Sequence, residues 1–147
     1  MTDSVNSREL VLAILLAVTK DGIYSHVAIS DVLTKYQYLE KQERSFITRV
    51  SEGTLERMLE LDYIINQFSS VKVKKMKPVI RCIIRSAVYE MKYMDSVPVS
   101  ASCNEAVKLA KKKGFGKLSG FVNGVLRNIG RNLDKIIYPD KEKSYKQ

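Results

Sequence analysis

A chain of 147 residues, 45% hydrophobic and 28% charged, reads as one soluble globular domain with enough length to bury a core. Its longest apolar run, Leu10 to Val18, is about half of a membrane span, and MTDSVNSREL lacks the basic-then-apolar order of a signal peptide, so a cytoplasmic protein with no membrane partner is expected. The net charge of +9 is uneven: residues 1–68 hold 7 Lys/Arg against 10 Asp/Glu (net −3) and residues 69–147 hold 18 against 6 (net +12), which favours a polyanion, nucleic acid above all.

Ser4 or Ser7 is placed to cap a first helix that runs to Gly22. Leu10, Val11, Leu12, Ala13, Ile14, Leu15, Leu16, Ala17 and Val18 leave it hardly any polar side, which predicts a helix buried nearly all round at the centre of a bundle. After the Asp21-Gly22 turn, Ser25 starts a short helix to about Tyr36, with Val27, Ile29, Val32 and Leu33 as its apolar set. His26, the one histidine, has no cysteine pair or nucleophile beside it in sequence and reads as a surface or capping residue.

Leu39 to Phe68 repeats apolar residues at three-and-four spacing: Phe46, Ile47, Val50, Leu55, Met58 and Leu59, then Leu61, Ile64, Ile65 and Phe68. The phase change predicts two helices or one bent helix, and Gly53 marks a close approach by a neighbouring helix. Ser69 to Lys77, SSVKVKKMK, is a basic connector. Pro78 then opens a strongly apolar helix to about Met94, with Arg81, Arg85, Glu90 and Lys92 as its exposed positions.

Val97-Pro98 separates that helix from the next, because proline restricts the residue before it. Ser102 as N-cap and Glu105 three residues later make a capping box, Ala106, Val107, Leu109 and Ala110 an apolar face, and Lys108, Lys111, Lys112 and Lys113 a wet one. Gly114 and Gly116 end it. Phe121, Val122, Val125, Leu126 and Ile129 form the buried stripe of a last helix that fades by about Ile137.

NEAVKLAKK, a glycine loop and FVNGVLRN together resemble the C-terminal helix pair of the NusB family of transcription antitermination factors. The same all-helical fold forms the N-terminal RNA-binding domain of the bacterial rRNA 5-methylcytosine methyltransferases (the Sun/Fmu family), and GIYSHVAISDVL and ERSFITRVSEGTLERMLELDYIINQF resemble that domain more. The chain departs from NusB proper at its first helix, where an arginine cluster is reduced to Arg8. The resemblance implies an all-α NusB-like bundle of about seven helices in residues 1–133, in two groups around the first helix, with 134–147 as a polar linker toward a catalytic domain.

No glycine-rich nucleotide loop is present. In the methyltransferase family the nucleophilic cysteine follows a proline; here Cys82 follows Arg81 and Cys103 follows Ser102, so both read as buried free thiols and the chain is expected to do no catalysis. The expected function is that of a non-catalytic RNA-binding domain. It would place small-subunit rRNA for a methyltransferase domain in cis, S-adenosylmethionine being that domain's cofactor and this chain needing none. Two alternatives stand beside it: an antitermination factor binding RNA with a small ribosomal protein, and a domain that only packs on its catalytic partner. On the first reading Gln147 is a cut in a longer protein. The RNA surface implied by the resemblance is Arg8 with Lys111, Lys112, Lys113 and Lys117 around the last hinge; Arg127 and Arg131 extend it along the last helix, and Lys72, Lys74 and Lys75 add the basic connector.

Overall fold

The computed structural model describes residues 6–138, so Ser4 as a cap and the tail from residue 139 lie outside the described residues. Seven α-helices occur among them: α1 (Ser7–Thr19), α2 (Ser25–Lys35), α3 (Lys41–Glu56), α4 (Met58–Phe68), α5 (Pro78–Tyr93), α6 (Val99–Lys112) and α7 (Ser119–Arg131). Single 3-10 turns at Val73–Lys75, Gly116–Leu118 and Leu133–Lys135 join or follow them. No strand occurs among the described residues.

The pivot is α5, not α1. Pro78 opens it at the first helical position, and α5 packs against α1, α3, α4, α6 and α7, whereas α1 packs against α2, α3, α5 and α6. The first helix is apolar nearly all round, yet it lies on one side of the bundle and leaves Ala13 exposed. The difference comes from polar side chains. Apolar periodicity places a residue relative to its own helix axis and is silent on what faces it across the core.

That blindness also explains the misplaced exposed positions of α5. Arg85 and Glu90 are 8% and 2% exposed, and both are buried as members of ion pairs. Arg85 donates from Nε and Nη2 to the two Asp62 oxygens of α4 at 2.7 and 2.8 Å. Lys92 and the Tyr93 hydroxyl both donate to Glu60, tying the end of α5 to α4. Arg81 turns back to donate to the Met76 carbonyl at 2.7 Å.

Other boundaries shift for local reasons. Asn6, not a serine, caps α1 by accepting from the Arg8 amide at 2.7 Å. No side chain caps α2, whose first residue is Ser25, and Val27 faces solvent. The break in the Leu39–Phe68 pattern falls at Arg57; Glu40 and Glu43 form the capping box of α3, and Leu59 is exposed. Gly53 is where α3 meets α5: a Cβ there would run into the buried ring of Tyr89. α6 starts at Val99 with Pro98 in the cap position, so Ser102 lies inside the helix, buried, and Glu105 bonds Asn6 and Lys108 instead. α7 ends at Arg131, two residues past its apolar stripe and short of the expected fade at about Ile137.

Leu15 and Ile84 are fully enclosed in the one continuous core. Leu15→Ala or Ile84→Ala is expected to cost about 2–5 kcal/mol in urea denaturation, against about 0.5 kcal/mol or less for Lys111→Ala on the wet face of α6. A midpoint unmoved by either core change would contradict this packing.

Candidate nucleic-acid interface

The cationic side chains of the expected RNA surface are handled in two different ways. The first group gathers where the start of α1 meets the end of α6. Arg8 does not extend into solvent: its Nε and Nη2 donate to Glu90 at 2.7–3.2 Å, and its guanidinium lies 5.1 Å from the centroid of the Phe46 ring. Ser102 donates to the same carboxylate at 3.0 Å. Next along the helix, Glu9 accepts from Lys112 and Lys113, one on each oxygen, both at 2.8 Å. These two hydrogen bonds, acting against partial burial, hold the Glu9 carboxyl below its ordinary value. Three of the expected contacts, Arg8, Lys112 and Lys113, therefore already hold carboxylates.

Lys111 and Lys117 are exposed beside that cluster. Gly114 sits at φ +87°, where a side chain would be strained, and its amide donates to the Lys111 carbonyl at 3.1 Å while Phe115 donates to Ala110 at 2.8 Å. The Gly114 amide is thus used to close α6. No side chain caps α7, and Ser119 instead donates to the Gly116 carbonyl at 2.7 Å. Along α7, Arg127 is fixed by Asn123 at 3.1 Å and Asn104 at 2.8 Å, and Arg131 is exposed in the last turn.

The second group is the connector between α4 and α5. Lys72, Lys74, Lys75 and Lys77 are all exposed, and none forms an ion pair among the described residues. The hinge lysines and the connector lysines lie toward opposite ends of α7, since Asn128 near its end donates to the Phe68 carbonyl at 3.3 Å.

Sequence reasoning missed Glu9 and Glu90, the carboxylates that pair with the first group. Each lies more than 80 residues from its partner, and no local spacing signals such a pair. Cys82 and Cys103 are buried free thiols pushed up by that burial, so both are protonated and out of reach at neutral pH. His26 is exposed and stacks on Tyr24 at 6.1 Å. No group of residues fit to hold a metal ion occurs among the described residues, and no helix there is long and apolar enough to cross a membrane.

Fold and surface define a class: a small all-helical module whose available chemistry is arranged charge. The chain belongs to the NusB family, whose model matches residues 5–131. It is 35% identical over 130 residues to the transcription antitermination protein NusB of Bacillus subtilis, covering 88% of this chain and 95% of that protein. It is also 35% identical over 124 residues to the probable ribosomal RNA small subunit methyltransferase B of the same organism, covering 84% of this chain. The chain spans only 27% of that methyltransferase and 28% of its Synechocystis counterpart. Among solved structures, one of antitermination factors NusB and NusE in complex with dsRNA superimposes with a TM-score of 0.77 at 22% identity, over 85% of this chain and 93% of that one. T. maritima NusB superimposes with a TM-score of 0.73 at 22% identity, over 88% and 93%.

Because Glu9 is held below its ordinary value of 4.5, its tie to α6 is complete above that pH and is lost as pH falls through the lowered value. Glu9→Gln should therefore lower the melting temperature at neutral pH, by no more than about 1 kcal/mol in stability for such partly exposed pairs. Parent and variant should converge in acid. A gap that stays constant through the acid range would show that the ion pairs do not hold α1 to α6.

Proposed function

We propose that this chain is a non-catalytic RNA-binding domain that works as the NusB antitermination factors do, contacting RNA together with a small ribosomal protein of the NusE type. The observation that carries this reading is the extent of the match. The similarity runs over 95% of the Bacillus subtilis NusB sequence and over about a quarter of the methyltransferase relatives. The NusB–NusE–dsRNA structure shares the fold, and the net charge of +12 over residues 69–147 suits a phosphate backbone. Lysines and arginines would neutralise phosphates and release counterions, while base-specific contacts would come from loops and partner.

The second reading is an N-terminal domain that positions small-subunit rRNA for a methyltransferase domain in cis. It is favoured by the 35% identity to the Bacillus subtilis methyltransferase B. On this second reading S-adenosylmethionine would belong to that other domain, and the buried, protonated thiols of Cys82 and Cys103 support that.

Purified NusE separates the two readings: it should tighten RNA binding by the chain under the first and leave it unchanged under the second. Replacing Lys112, Lys113 and Lys117 together by alanine should weaken binding of a small-subunit rRNA fragment and flatten its salt dependence, by about 0.7–0.9 in log–log slope for each phosphate left unneutralised. Lys35 and Lys41 lie in the acidic half, and their replacement should change neither quantity. A parent chain with no measurable RNA affinity, alone or with NusE, would refute the proposal. Isothermal calorimetry of the chain with S-adenosylmethionine should show no binding; micromolar affinity would refute the non-catalytic assignment.

A further inference from the structure

We propose that the connector between α4 and α5, residues 69–77, is a built phosphate-binding loop and the dominant electrostatic contact to RNA, ahead of the α6–α7 hinge. This rests on the RNA-binding reading above and assigns where the backbone of the RNA is held.

Four lysines, Lys72, Lys74, Lys75 and Lys77, fall within six residues and all face solvent. Beneath them Arg81 spends its guanidinium on the Met76 and Lys74 carbonyls, at 2.7 and 3.5 Å, so it adds a fifth positive charge with no carboxylate on it. The hinge contrasts with this. Lys112 and Lys113 are bound by Glu9, and Arg8 by Glu90. When either hinge lysine takes up a phosphate, Glu9 gives up a partner and recruits a cation of its own, so the net counterion release is less than one per lysine. A lysine of the connector starts without a carboxylate and releases its full share.

The connector is also held rigidly, which a merely solvated run of lysines is not. Val73 and Met76 are 2% and 6% exposed and anchor it to the core, with the lysines between and beside them pointing outward. Asn66 of α4 accepts from the Val73 amide at 2.9 Å. Ser69 closes a turn with Val71, donating to its carbonyl at 2.6 Å and accepting from its amide at 3.1 Å. Asn128 of α7 holds the Phe68 carbonyl, and the Met76 amide donates to Val73 at 3.0 Å. Like charges crowded on a fixed backbone repel, and among the described residues no carboxylate pairs with them; a polyanion relieves them without ordering cost in the loop.

The partner is RNA and not a lipid surface, because Val73 and Met76 point inward and the loop exposes a single apolar side chain, Val71, too little to insert between acyl chains. The position extends the hinge surface. From Leu118 to Asn128 the axis of α7 advances about 15 Å, with Arg127 between the two ends and Arg131 beyond.

The test compares three variants of the whole chain on a single-stranded RNA fragment across a salt series, with melting curves to confirm folding. Lys72→Ala, Lys74→Ala and Lys75→Ala combined should weaken binding at least about tenfold and flatten the log–log slope by about 2–3, more than the hinge triple variant does. The same three positions changed to arginine should restore both quantities. Asn66→Ala keeps every charge but frees the loop, and should weaken binding several-fold with the slope unchanged. If the parent binds RNA and the alanine triple variant binds it equally well, the loop assignment falls while the RNA-binding proposal stands. If Asn66→Ala binds as the parent does, the loop is solvated charge and not a built site. If polyglutamate displaces the RNA at matched charge and loses its affinity in the same variants, the surface serves an acidic protein and the assignment to RNA is wrong. A parent that binds no RNA overturns both proposals.

Discussion

A carboxylate buried on the central helix constrains the rest of the structure. Glu90 has almost no contact with water, and an ionised carboxylate in that position is tolerable only with cations and hydrogen-bond donors on its oxygens. Arg8 of α1 and Ser102 of α6 supply them. Satisfying one group on α5 therefore fixes the rotation of α1 and the axial position of α6 at once. A pairing of this kind adds little net stability over a well-packed apolar core, but it penalises any other register by leaving a charge unpaired. The Arg85–Asp62 pair does the same between α5 and α4, so the helix in the middle of the bundle is oriented by its charges and enclosed by its apolar residues.

The surface follows from that arrangement. Once Arg8 is drawn onto Glu90, its neighbour Glu9 is carried to the end of α6, within hydrogen-bonding distance of Lys112 and Lys113. The hinge thus becomes a partly neutralised patch, two carboxylates against three cations, with Lys111 and Lys117 at its margin. No carboxylate among the described residues pairs with the lysines of the connector between α4 and α5. One basic half of the sequence has become two surfaces with different electrostatics, at the two ends of α7.

Family membership is consistent with this division. The fold is shared with proteins named as antitermination factors and, over about a quarter of their length, with larger methyltransferases, and fold alone does not fix function. The single arginine at the start of α1, held internally by Glu90, moves the available positive charge away from that helix and toward its neighbours.

The sequence by itself determined the helices, their approximate limits and the core. Apolar residues at three-and-four spacing report burial of a face, and Pro78 and Gly114 mark a helix start and end through their own backbone restrictions. The motif strings sufficed to indicate the family, and Gly53 announced the close helix contact now seen against Tyr89. The partners of the charged residues were decided only by the tertiary structure. Arg85 and Glu90 looked like solvent-facing positions because a charged letter in an apolar repeat is the same whether water or another helix lies opposite. Ser102 looked like a cap because capping chemistry is local, while its real acceptor, Glu90, belongs to the preceding helix. The lysines of the hinge and of the connector are identical in sequence terms, and packing alone placed Glu9 on one set and, among the described residues, no carboxylate on the other.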